Sequence, residues 1–141
     1  MDFTTTNIVM CKEAKGIQEQ WQPQRGDFAF WEANIEEPEP VLIYDVDGEL
    51  LKVITLRHGT HHILIKDDLI WLPRQDQLQN MLDVDFYYHA FILNEPNTVM
   101  KQIYSDDGVW SPFESGEQLW LAFVMWVKEG KAWDAQERRW R

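Results

Sequence analysis

The sequence predicts an α+β domain with a small antiparallel sheet of about four strands within residues 27–66, packed by helices. Three features lead to this reading. Apolar positions spaced by three and four mark the N-terminal residues. β-Branched runs interrupted by a turn dipeptide mark the middle of the first half. A nine-residue apolar run, Leu119 to Val127, lies near the C-terminus between helix start and stop signals.

The first helix follows from Ile8, Cys11, Ala14, Ile17 and Trp21, which share one face at 3.6 residues per turn. Thr5, Thr6 and Asn7 all offer side-chain oxygens for an N-cap, and Pro23 ends the helical pattern. Gly16 weakens the helix by about 1 kcal/mol relative to alanine. Strand character begins at Phe28–Glu32. The acidic, proline-bearing segment Glu36-Glu37-Pro38-Glu39-Pro40 reads as a stiff, solvated loop between strands. Val41–Val46 and Glu49–Leu56 flank Asp47-Gly48, the dipeptide that best supports a type I′ hairpin. His61–Lys66 supplies a fourth strand after the turn at His58-Gly59, and a sheet of this size can curl like a small barrel.

Trp71-Leu72-Pro73 then reads as the approach to a helix carrying Leu78, Met81 and Leu82. Proline costs little in a first turn, because its missing N–H would have no partner there. Phe86–Leu93 fits either strand or helix, and Asn94-Glu95-Pro96 caps a short helix. The last helix has the strongest signals. Ser115 and Gln118 form a capping box, Lys128 complements the helix dipole, and Gly130 stops it. It is apolar on every side, so it should be buried.

The length of 141 residues suits a single domain, 1–141. With 45% hydrophobic and 13% aromatic residues, a packed core is affordable and disorder is excluded. The net charge of −11 argues against direct binding to nucleic acid or an anionic membrane surface, since both need clustered cations. The apolar run Leu119 to Val127 is far below the ~20 residues of a spanning helix. The N-terminus lacks the basic and apolar regions of a signal peptide, and the single Cys11 excludes an internal disulfide framework. A cytoplasmic location is therefore expected. Residues 128–141 run against the trend, with five Lys/Arg and three Asp/Glu, and read as a solvated terminus or an arm that meets acidic surface.

Few residue groups point to chemistry. His58, His61 and His62 precede Asp67 and Asp68, and imidazoles with carboxylates are zinc-type ligands. Adjacent residues of a strand face opposite ways, so at most one of His61 and His62 joins His58; His58 with His61 is the candidate metal pair. The alternative is a turn with exposed imidazoles. Asp45-Val46-Asp47-Gly48 begins like a calcium loop, but Leu50 and Leu56 occupy the positions that need Gly and Glu. No phosphate-binding glycine loop or nucleophile elbow occurs, and His89 has no evident partner. No cofactor is indicated. Eight tryptophans are the compositional oddity; they read as core edges or as stacking and interface groups.

Two blocks carry a resemblance. Ile70-Trp71-Leu72-Pro73-Arg74-Gln75-Asp76-Gln77-Leu78-Gln79-Asn80-Met81-Leu82 resembles a signature of small uncharacterised proteins of bacteriophages and prophages of Gram-positive bacteria. Gly116 to Met125, followed by Lys131-Ala132-Trp133-Asp134, resembles their second signature. The resemblance implies an accessory role in a phage context and brings no catalytic residue. Arg74, Gln75, Asp76 and Gln77 exceed what a helix start needs, and with Trp110 and Trp133 they form the candidate binding surface.

The functional expectation is a non-enzymatic acidic module that binds a protein partner. One version inhibits a DNA-binding enzyme by mimicking DNA charge. The alternatives are a small-ligand or metal-binding protein or enzyme using the His58/His61/His62 region, and an oligomeric structural component. The oligomeric state is left open.

Overall fold

The computed structural model describes residues 1–82 and 113–141; the sequence readings at Phe86–Leu93, His89, Asn94-Glu95-Pro96 and Trp110 lie outside the described residues. The chain forms two compact units, Phe3–Arg74 and Met1–Asp2 with Gln75–Arg141. The architecture is α+β: helices with an open antiparallel sheet.

In the first unit, α1 (Thr5–Glu13) and α2 (Lys15–Gln20) divide the expected single helix. The cap is Thr4, one residue ahead of the candidates, and its hydroxyl accepts from the Asn7 N–H at 3.3 Å. The break falls at Ala14, whose ψ of 67° ends α1 and starts α2. Most of the apolar stripe survives the break: Cys11, Ala14, Ile17 and Trp21 are buried, whereas Ile8 is only half-buried and Met10, outside the expected stripe, joins the core.

The sheet contains β1 (Phe28–Trp31), β2 (Glu39–Asp47), β3 (Leu50–Thr55), β4 (His61–Leu64) and β5 (Leu69–Leu72) in the order β4-β3-β2-β1-β5. All pairings are antiparallel. The barrel expectation is corrected, because β4 and β5 are the two edges of an open sheet and do not pair. The sheet also has a fifth strand. Leu69-Ile70-Trp71-Leu72, read from sequence as the approach to a helix, pairs with β1 and is buried at every position. A four-residue apolar run fits strand and helix equally by pattern, and its pairing with β1 decides the matter.

The predicted hairpin forms with its turn shifted by one residue. Asp47 pairs with Leu50, so Gly48 and Glu49 are the turn residues. Gly48 has φ +60°, whereas Glu49 is not among the positive-φ residues. That is the pattern of a type II′ turn, with glycine first, rather than type I′. A bulge at Tyr44 interrupts the β2–β3 register. Alternation places Ala29, Val41, Ile43, Leu51, Val53 and Trp71 on one face, and all are buried.

Gln18 ties the helices to the sheet edge. Its Oε1 accepts from the Trp71 N–H at 2.8 Å, and its Nε2 donates to the Trp71 carbonyl at 2.9 Å and to the Cys11 carbonyl at 3.0 Å. One side-chain amide thus occupies the place of a neighbouring strand at Trp71. Trp21 stacks on Trp71, with ring centroids 5.8 Å apart.

In the second unit, α3 (Gln75–Asn80) packs against α4 (Gly116–Glu129). Ser115 caps α4 by accepting from the Gln118 N–H at 3.2 Å, and Gly130 ends it with φ +65°. The Gln118 carbonyl oxygen accepts from the Glu114 N–H, and its amide donates to Asp2, so the fully buried glutamine is satisfied. Trp120 to Met125 are buried, as the apolar run requires, while Trp126 and Val127 are partly exposed. The C-terminal residues form a short hairpin of β6 (Trp133–Asp134) and β7 (Arg139–Trp140), closed by the Trp133–Trp140 ring pair.

Candidate functional site

The sheet brings together two groups with chemical potential, at opposite ends of the β2–β3 pair. The first lies where β2 begins. Glu39, expected in a solvated loop, is the first residue of β2, opposite Trp31 of β1, and only 3% exposed. His58 stands in the turn between β3 and β4. Its Nδ1 lies 3.1 Å and 3.3 Å from the two Glu39 carboxylate oxygens. Glu37, in the loop before β2, places Oε2 3.6 Å from His58 Nε2 and Oε1 3.9 Å from the Arg57 guanidinium. One oxygen from each glutamate and one ring nitrogen all lie within 4.8 Å of one another.

The other histidines are placed by register. His61 pairs with Ile54 and its Nδ1 lies 3.2 Å from the Tyr44 hydroxyl, with the rings edge to face. His62 pairs with Val53, on the opposite face. Its Nε2 lies 3.0 Å from the Thr60 hydroxyl, and its ring packs on Trp31. The metal-compatible group among the described residues is therefore His58 with two glutamates, and His61 is not part of it. Sequence reasoning missed Glu37 and Glu39 because their approach to His58 depends on strand pairing. The available signal was the alternation Glu37-x-Glu39 entering a strand.

The second group surrounds the β2–β3 turn. A cavity of about 380 Å³ is lined by Pro23, Val46, Leu51 and Ile65 with Gly48, Glu49, Lys66 and Asp67. Glu49 and Asp67 are exposed at its rim. Lys66 directs its ammonium to the Trp21 and Glu19 carbonyls, at 2.6 Å and 3.3 Å. Its charge is held by backbone rather than by the two acids.

The residues expected at a binding surface lie in different settings. Arg74 Nη1 donates to the Gly26 carbonyl at 2.7 Å and lies 3.9 Å from the buried Asp27 carboxylate. That carboxylate also accepts from the Trp21 indole and the Gln24 N–H, both at 2.9 Å. Gln75 and Asp76 are exposed on α3, and Gln77 is half-buried. Trp133 is buried against Trp140. Trp21, Trp71, Trp120 and Trp140 are buried too, so most of the described tryptophans serve packing. Cys11 is buried, with its sulfur 3.9 Å from Asn7 Oδ1.

Asp134 in the C-terminal hairpin has its carboxyl held below the ordinary range. The Glu137 N–H is the main cause; the Arg141 guanidinium and the Gln136 N–H add to it, against partial desolvation.

Among the described residues, no helix is long and apolar enough to cross a membrane. No known protein family, curated protein or solved structure matches the chain.

Proposed function

We propose that the protein is a binding module rather than a catalyst, and that it takes a basic side chain of a protein partner in the groove beside the β2–β3 turn. The groove itself carries this reading. Pro23, Val46, Leu51 and Ile65 give it an apolar floor, and Glu49 and Asp67 give it an acidic rim. A lysine or arginine has matching chemistry, because its methylene stem covers apolar surface while its charge stays at the rim. The chain's net charge of −11 would raise the encounter rate with a basic partner and make binding salt-sensitive. An accessory role in a phage context belongs to the same proposal.

The test is a pull-down with tagged protein at low and moderate salt, beside the Glu49→Lys/Asp67→Lys double variant. A partner held by the wild type, released as salt rises and lost by the double variant is the expected result. Identical partners for both proteins would refute the groove as the binding surface.

A further inference from the structure

The group at the start of β2 is independent of the groove, and its chemistry is different. Glu39 places a carboxylate where only 5% of the side chain reaches solvent. A buried carboxylate is costly unless a cation or several donors compensate it. Among the described residues, the one hydrogen-bonding group that Glu39 meets is the His58 imidazole. Glu37 then adds a second carboxylate on the other side of the same ring. The three side chains thus gather two carboxyl groups around one ring, with Arg57 reaching only the outer glutamate.

We infer that Glu37, Glu39 and His58 bind a divalent transition-metal ion of the zinc class. An imidazole nitrogen with two carboxylate oxygens is a borderline donor set, which suits zinc and its first-row neighbours better than calcium, which prefers six or more oxygens. Ligand atoms about 2.1 Å from a tetrahedral zinc stand roughly 3.4 Å from one another. The 3.3 Å between His58 Nδ1 and Glu39 Oε1 is close to one edge of such a polyhedron, whereas Glu37 now faces the other ring nitrogen, Nε2, at 3.6 Å and has to swing toward Nδ1 to share the ion. Glu37 lies in a loop with its side chain about half exposed, so it can close the remaining distance by rotamer changes. Glu39 is the fixed ligand, held by β2, and His58 and Glu37 are the adjustable ones. Three protein ligands leave a position open to water or to an anionic group of a partner. Tyr44 and the opposite sheet face keep His61 out of the site.

The test is calorimetric titration of the metal-stripped full chain with zinc chloride, with cobalt(II) absorption reporting the coordination of the bound ion. The wild type should take up one ion per chain in a saturable step. His58→Ala and Glu37→Gln should each weaken that step at least about tenfold, and Glu39→Gln should do the same. His61→Ala should stay within about twofold of wild type. Amide spectra of each variant without metal report folding; Glu37→Gln, in an exposed loop, keeps the test valid if Glu39→Gln unfolds. No saturable step in the wild type would overturn the inference. So would equal binding by wild type and His58→Ala, or a loss on His61→Ala as large as on His58→Ala.

Discussion

Replacing Gln18 by alanine should destabilise the first unit by about 2–3 kcal/mol. The substitution removes three hydrogen bonds at once: from the Trp71 N–H, to the Trp71 carbonyl and to the Cys11 carbonyl. A typical bond of this kind contributes about 1 kcal/mol net, and an orphaned buried partner costs about 1–3 kcal/mol. The three bonds are partly buried, so water replaces some of the loss and the total stays near the simple sum. With a urea dependence of about 1–3 kcal/mol per molar, the midpoint should fall by roughly 0.7–3 M with an unchanged slope. Amide hydrogen exchange gives a local reading, because the Trp71 N–H lies on the outer side of edge strand β5 and should lose protection first. Gln18→Glu is the sharper control. It keeps shape and an acceptor for the Trp71 N–H, but turns an oxygen toward two carbonyls, so it should cost at least as much. A loss below about 0.5 kcal/mol, with Trp71 as protected as before, would refute the idea that this amide substitutes for a neighbouring strand.

Two other perturbations have defined outcomes. Gly48→Ala should cost about 1–2 kcal/mol in chemical denaturation, because φ +60° is strained for a residue with a Cβ; nothing lies within 4 Å of the added carbon, so the cost is in the backbone alone. Acidification should loosen the C-terminal hairpin late. The lowered Asp134 pKa means the folded hairpin favours the carboxylate, so its contribution is present above the ordinary carboxylate range and disappears as pH falls through the lowered value. The Trp140 indole resonance should follow that step, and Asp134→Asn should remove it.

The parts of the fold legible in the sequence are those fixed by neighbouring residues. Ser115, Gln118 and Gly130 define both ends of α4 through contacts within a few positions of the chain; the structure shows the Ser115 and Gly130 caps, while the Gln118 side chain takes the Glu114 N–H instead of the Ser115 N–H that a full capping box needs. The β2–β3 hairpin was legible for the same reason, although the choice between two turn geometries moved its tip by one residue. Leu69–Leu72 was not legible as a strand, because its hydrogen-bonding partner is β1, some 40 residues earlier. The division of the first helix at Ala14 follows no breaker residue; Gly16 lies inside α2.

The candidate site shows the same boundary. The sequence displayed the histidines and showed that His61 and His62 must diverge, since strand alternation is a local rule. It could not say which side chains would face His58. Glu37 and Glu39 reach it because β1, β2 and β3 pair in one particular register, and a slip of one residue would turn Glu39 to the other face. The groove likewise collects Pro23, the β2–β3 turn and Ile65–Asp67 from three separate stretches. By itself the sequence determined the α+β class, the acidic balance, the caps and the hairpin, because composition and short-range periodicity decide these. Tertiary structure alone decided the open sheet, the fifth strand, the burial of most of the described tryptophans and the meeting of Glu39 with His58, because each depends on contacts between residues far apart in the chain.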